Sequence, residues 1–293
     1  MKKARLVAAI VLAASTAAWG QSKPATASQP ATASRPATLP FTISKETTWI
    51  TGPLRSDGRV DYVAALNARS SAGVTKENNA AVEFIQIIGT ELLPGDTADE
   101  ICRILDIECP VIRALDLALP LRSKDLLTKP WQIEEYPEVV DWLKENKSAL
   151  DRFVAATNRP RYYIPFLPPV AEQGMLKAQI PSLSKYRLLA QVLAMRANLA
   201  INEDRFEDAW SDIQAMYRLS LLINQDMSLI GCLVALACGQ IGDNAVHRMV
   251  ASERLDAKTS RLILSKWSEV QATPTVVDSV DAGERYSSVM NCV

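Results

Sequence analysis

Histidine is almost absent from this chain: His247 is the only one in 293 residues. A metal site built from several histidines of one chain is therefore excluded. No Cys-x-x-Cys occurs, so neither a zinc knuckle nor a thioredoxin-type redox site is written here. Glycine is scarce, at 11 residues, and aromatic residues make up only 6%. Alanine and leucine dominate, which favours helices over strands. No Gly-x-Ser-x-Gly elbow presents a nucleophilic serine, so His247 reads as a packed or solvent-tipped helical residue rather than the base of a triad.

An excess of positive charge is lacking too. The chain has 32 basic and 33 acidic residues, and loss of Lys2, Lys3 and Arg5 with a leader would leave a net charge of −4. No basic field remains to hold nucleic acid or anionic lipid. Nothing calls for a cofactor.

What is present begins with a compartment signal. Lys2, Lys3 and Arg5 precede a short apolar run, Leu6 to Ala18, and Ala18-Trp19-Gly20 offers small residues at a cleavage point before Gln21. This is the pattern of a secretory signal peptide over 1–20, with an exported, periplasmic or extracellular product and no membrane span after cleavage. The next stretch, KPATASQPATASRPATLP, is a six-residue unit written almost three times. It holds nothing that can bury a core, so 21–40 is expected to be a disordered tether.

Five cysteines remain, an odd number for an oxidising compartment. Cys232 and Cys238 lie on one expected helix about 9 Å apart along its axis, too far to bridge. Cys102 and Cys109 meet only if a helix breaks between them. The cysteines are read mostly as small buried hydrophobes.

From Phe41 onward, 41–293, the pattern is mainly helical, with a subdivision expected near 166–181. Helices are expected over Val60–Arg69, after a Thr75 cap, after a Thr97-x-x-Glu100 capping box, over Glu138–Glu145 and Ser148–Ala156, and from Ser182 or Ser184 to Ile201. Another covers Glu203–Gln225, with Phe206, Ala209, Trp210, Ile213, Met216 and Tyr217 on one buried face. Leu229–Cys238 is apolar all round. Ten such residues fall short of a bilayer core of ~30 Å, so a central helix wrapped by others is expected. Asp256 opens a last helix through Trp267. The fold class is all-α: antiparallel helical hairpins in an irregular bundle or short curved array.

Several constellations invite chemistry. Around Gly58 the chain half-resembles a calcium loop, but the aligned first, third and twelfth positions are Pro53, Arg55 and Ala64, which cannot serve as ligands. A turn into a helix, capped by Asp57 or Ser56 with Asp61 in its first turn, fits better. Ser182-Leu183-Ser184-Lys185 matches the Ser-x-x-Lys of penicillin-recognising enzymes, and Lys258-Thr259-Ser260 half-matches their later motif, yet no Ser-Asp-Asn follows. The acids Glu134, Glu135, Glu203, Asp204, Glu207 and Asp208 read as a solvated face rather than a glycosidase pair. The segment NRPRYYIP sets two arginines and two tyrosines between prolines. Exposed, Arg159, Arg161, Tyr162 and Tyr163 form a ligand platform; buried, they pin two helical hairpins.

Met195 to Ile213 resembles a tetratricopeptide hairpin, with Arg196 and Ala200 standing where that pattern prefers Leu and an aromatic. More broadly, TGPLRSDGRVDYVAALNARSSAGVTKENNAAV, YPEVVDWLKENKSALDRFVAATNRPRYYIP and DAGERYSSV resemble landmarks of exported planctomycete-type bacterial proteins to which no activity is attached. The resemblance implies export, carries no reaction, and suggests related chains that continue past Val293. The leading expectation is a non-catalytic binding or scaffolding module for protein or envelope polymer. The rival is a carboxylate-dependent hydrolase of envelope or imported glycan, which a cleft holding two acids, one with a raised pKa, would favour. Membrane association through Leu229–Cys238 requires that stripe to be exposed.

Overall fold

The computed structural model describes residues 39, 41–111, 114–115, 123–167, 174–226, 228–267, 276–279, 281 and 285. The expected leader, all of the tether but Leu39, Pro168–Pro169 and Cys292 lie outside them. The chain is all-α: α1 (Tyr62–Ser70), α2 (Ala80–Ile88), α3 (Ala98–Ile104), α4 (Asp125–Thr128), α5 (Pro137–Glu145), α6 (Lys147–Ala156), α7 (Gly174–Asn202), α8 (Phe206–Asn224), α9 (Leu229–Ala251) and α10 (Ala257–Trp267). Among the described residues β-pairing is limited to two isolated bridges.

Three long helices form the frame. Pairs of contacts between them give their directions. Only a short turn separates α7 from α8, and Arg196 meets Asp212 across it; Ser220 of α8 donates to the Ala235 carbonyl of α9 and Tyr217 to Asp243, so α8 runs against both neighbours. Tyr186 lies beside Cys238 and Asn198 beside Arg248, so α7 and α9 run parallel. Close approach of α8 to α9 depends on Gly242, where a Cβ would sit 3.4 Å from the Tyr217 ring.

The turns between these helices are built alike. Asp204 after α7 and Glu253 after α9 both adopt left-handed backbone, φ 58° and 56°. Arg254 then donates to the Ile201 and Asn202 carbonyls at the open end of α7 and pairs with Asp204 at 2.7 Å. One side chain thus satisfies carbonyls a helix end leaves unpaired and ties the two turns together.

Among the described residues the main core draws on both sides of 166–181, with two small clusters apart from it, at Val60 and Tyr62 and at Leu66 and Phe166. Phe84 of α2 packs on Phe153 of α6 and Tyr186 of α7, with ring centroids 4.7 and 5.7 Å apart. Trp131 is fully buried and donates to the Met195 carbonyl.

Helix starts differ from expectation in several places; α8, expected from Glu203, begins at Phe206. Thr75 and Asn78 bond each other's backbone in a closed turn, and α2 begins later, capped by Asn79. Asp57 accepts the Arg59 amide inside its turn, where Gly58 has φ 85°; the cap of α1 is Asp61, which accepts the Ala64 amide at 2.9 Å. Thr97 spends its hydroxyl on the Pro94 carbonyl and Glu100 pairs with Arg103, so no capping box forms. Ser182 and Ser184 lie inside α7, which starts at Gly174 and continues through Pro181. Asp256 does open α10, accepting the Thr259 amide.

The helix α9 is not wrapped all round. Gly231, Cys232, Ala235, Cys238, Gly242, Ala245 and Met249 face the core, while Leu233 on the opposite face is 55% exposed. It is, among the described residues, the one helix long and apolar enough to cross a membrane. It packs one face against α7 and α8, and its open face carries Leu233 near the start and Gln240, Asp243, Asn244 and His247 further on.

The helix between Cys102 and Cys109 does break. α3 ends at Ile104, Asp106 turns with φ 53°, and the two cysteines form a disulfide with Cα atoms 5.6 Å apart. Cys232 and Cys238 are free and buried.

Candidate functional site

The segment NRPRYYIP packs into the body of the protein. Asn79, 1% exposed, accepts the Tyr163 amide through Oδ1 at 2.9 Å and donates Nδ2 to the Tyr163 carbonyl at 2.9 Å. Asn67 does the same for Phe166, at 2.8 and 2.9 Å. Each carboxamide thus pairs with backbone as a neighbouring strand would. Arg159 donates to the Lys76 and Asn79 carbonyls and pairs with Glu83 at 2.9 Å. The Tyr162 and Tyr186 hydroxyls bond each other at 3.0 Å, and burial pushes both phenols well up. Tyr163 is 9% exposed and its hydroxyl reaches Asn67. Only Arg161 of the four candidates is exposed, and its backbone bridges to Asn78 and Ala80. With both tyrosines covered, the segment serves as a pin between the α1–α2 region and α6–α7.

A groove lies elsewhere, between the α5–α6 pair and the α7–α8 pair. Its volume is about 550 Å³. Val140 and Leu143 of α5, Val154 of α6, and Leu199 and Ala200 of α7 give it an apolar floor. The rim is charged: Lys144, Lys147 and Asp151 on one side, Glu203, Arg205 and Asp208 on the other. Arg205 holds its two acids at 2.6 Å each.

At the base is a three-membered ion network. Asp212, whose side chain is 4% exposed, accepts Nε of Arg196 at 2.9 Å and Nη2 at 2.5 Å. The third edge of the guanidinium, Nη1, reaches Asp151 on α6 at 2.9 Å. Lys147, one turn before Asp151, holds the same carboxylate. Burial pushes the Asp212 carboxyl up, and Arg196 offsets part of that. Burial also works against charge on Arg196, but Asp212 and Asp151 outweigh it and hold the guanidinium above its ordinary value. Partial burial works against charge on Asp151 as well, yet Lys147 and Arg196 hold it below the usual carboxylate range.

Of the acids singled out in the sequence, Glu203 lines this groove, Asp204 and Glu207 line an adjoining, more open depression, and Asp208 lines both. Glu135 accepts the Gln132 amide. Ser182 is buried in the core, and His247 sits on the exposed face of α9. Asp57 and Asp61 each accept a backbone amide at the start of α1. The Arg196–Asp212–Asp151 network carried one sequence signal: Arg196 interrupts a hairpin pattern at a position that should be apolar. No protein family, curated protein or solved structure matches the chain.

Proposed function

We propose that the protein is an exported, non-catalytic binding module whose ligand site is the groove between α5–α6 and α7–α8. The observation that carries this reading is the pairing of an apolar floor with a rim and base whose acids are already tied to cations. Pockets of roughly 300–1,000 Å³ with mostly apolar walls and a few convergent polar groups are where small ligands bind. The Cys102–Cys109 disulfide supports export, since such bonds persist in oxidising compartments.

The hydrolase reading has one observation in its favour. Asp151 and Asp212 share the groove, and Asp212 has a raised pKa. A general acid, however, needs a free proton-bearing oxygen aimed at the substrate. Both oxygens of Asp212 are taken by Arg196, so the pair supports binding better than proton transfer.

The test is thermal stabilisation by fractions of an envelope extract, with Ala155→Trp as control. Ala155 is exposed on the groove wall, so tryptophan there fills the space without entering the core. A fraction that raises the wild-type melting temperature should leave the variant unmoved. Equal stabilisation of both proteins, or conversion of the ligand into a product, would remove the reading.

A further inference from the structure

The orientation of Arg196 carries the groove reading further, to a ligand class. Asp212 grips the Nε–Nη2 edge from the buried side. That fixes the planar guanidinium and leaves Nη1 as the edge turned away from Asp212. What meets Nη1 is the carboxylate of Asp151, contributed by another helix 45 residues away in sequence. The Lys147 ammonium holds that carboxylate too. Two cations from different helices therefore converge on one carboxylate at the edge of an apolar floor.

The Asp151 carboxylate also has solvent to turn into. Its side chain is 48% exposed and Lys147 is 73% exposed. The Asp151–Lys147 pair is thus an exposed one that contributes little; the stronger tie is to Arg196, 19% exposed, and a ligand carboxylate would replace that bond like for like as Asp151 turns to water. Asp212 cannot turn so, being buried. The geometry points to an aliphatic carboxylate as the ligand: its head on Arg196 Nη1 and Lys147 Nζ, in the place Asp151 now holds, and its chain along Val140, Leu143 and Leu199. This assignment rests on the groove being the ligand site. Across the rim Glu203 and Asp208 are already tied to Arg205, so nothing there calls for a second charge on the ligand. A cationic head would face Lys147 and Arg196. A single carboxylate on an apolar chain avoids that conflict and leaves the Arg205 pairs intact.

The experiment is calorimetric titration of the full-length protein with sodium octanoate, octan-1-ol and octylamine at low salt. Octanoate is expected to bind about tenfold more tightly than octan-1-ol, because charge-assisted hydrogen bonds to the head are added to the same chain contacts. Asp151→Asn, a surface change, should strengthen octanoate binding severalfold and leave octan-1-ol unchanged. Lys147→Ala should weaken octanoate alone, and Ala155→Trp should abolish binding of both. Octan-1-ol or octylamine matching octanoate, or Asp151→Asn giving no gain, would overturn the carboxylate assignment while leaving the groove in place. Octanoate binding that survives Ala155→Trp would overturn it as well, as would no binding of any of the three compounds. The groove itself is judged separately, by the extract fractions.

Discussion

The carboxylate of Asp212 receives two donors from the guanidinium of Arg196, at 2.9 and 2.5 Å, in the seam between α7 and α8. Neither partner is well exposed, at 4% and 19% of its side chain. Each is therefore costly to leave alone and tolerable only beside the other. Arg196→Leu should lower the unfolding free energy by about 3–5 kcal/mol, because Asp212 stays buried without its cation. The double replacement Arg196→Met with Asp212→Leu should recover most of that loss. Urea unfolding of the three proteins decides it; a single variant as stable as the wild type would mean the pair is not buried as described.

The pin formed by NRPRYYIP gives a contrast between neighbours. Asn79→Ala strands the Tyr163 amide and carbonyl inside the protein, and should cost about 3 kcal/mol. Arg161→Ala, on the exposed side of the same loop, should fall within about 0.5 kcal/mol of wild type. Equal effects in thermal or urea unfolding would show that the loop is held some other way.

Alkaline pH should weaken the fold through the Tyr162–Tyr186 pair. Burial raises both phenols above the ordinary value of 10.0 in the folded state. Above about pH 10 the unfolded chain releases these protons while the folded chain keeps them. Stability is thus fully present below pH 10 and declines as pH rises beyond it. Tyr186→Phe should flatten the decline by about 1.4 kcal/mol per pH unit. Urea midpoints between pH 8 and 11 measure this, and parallel slopes for the two proteins would contradict it.

The disulfide closes a short loop, since its cysteines are seven apart. Loop-closure entropy for so short a ring corresponds to about 2 kcal/mol. Cys102→Ser with Cys109→Ser should lower stability by that amount, and a reducing agent should lower the wild type equally while leaving the variant unchanged. A wild type insensitive to reduction would show that the bond is absent in solution.

Much of the helical frame is written locally. The stripe of α8 is the buried face it promised to be from Phe206 to Met216, while Tyr217, expected on the same face, is half-buried and donates its hydroxyl to Asp243. α5 and α6 each begin one residue before the expected Glu138 and Ser148 and end at the expected Glu145 and Ala156. Caps were harder to read, because Thr75 and Asn79 lie four residues apart and both carry capping chemistry. What selects Asn79 is its bond to Tyr163, 84 residues away, which no local pattern contains. The start of α7 hides for the opposite reason: Pro181 looks like a stop, yet the helix runs through it. The groove is the least legible feature. Arg196 meets Asp212 16 residues on and Asp151 45 residues back, so its walls exist only once four helices pack. The tyrosines beside Arg161 drew attention by composition, but their rings complete the core.

The claim that organises the rest is that the groove between α5–α6 and α7–α8 holds a small ligand. The most direct measurement is native mass spectrometry of the protein recovered from its own cells, wild type beside Ala155→Trp. The account predicts a non-covalent adduct of small-molecule mass on the wild type and none on the variant. The same adduct on both proteins would place the ligand elsewhere, and no adduct on either would contradict a binding role for the groove.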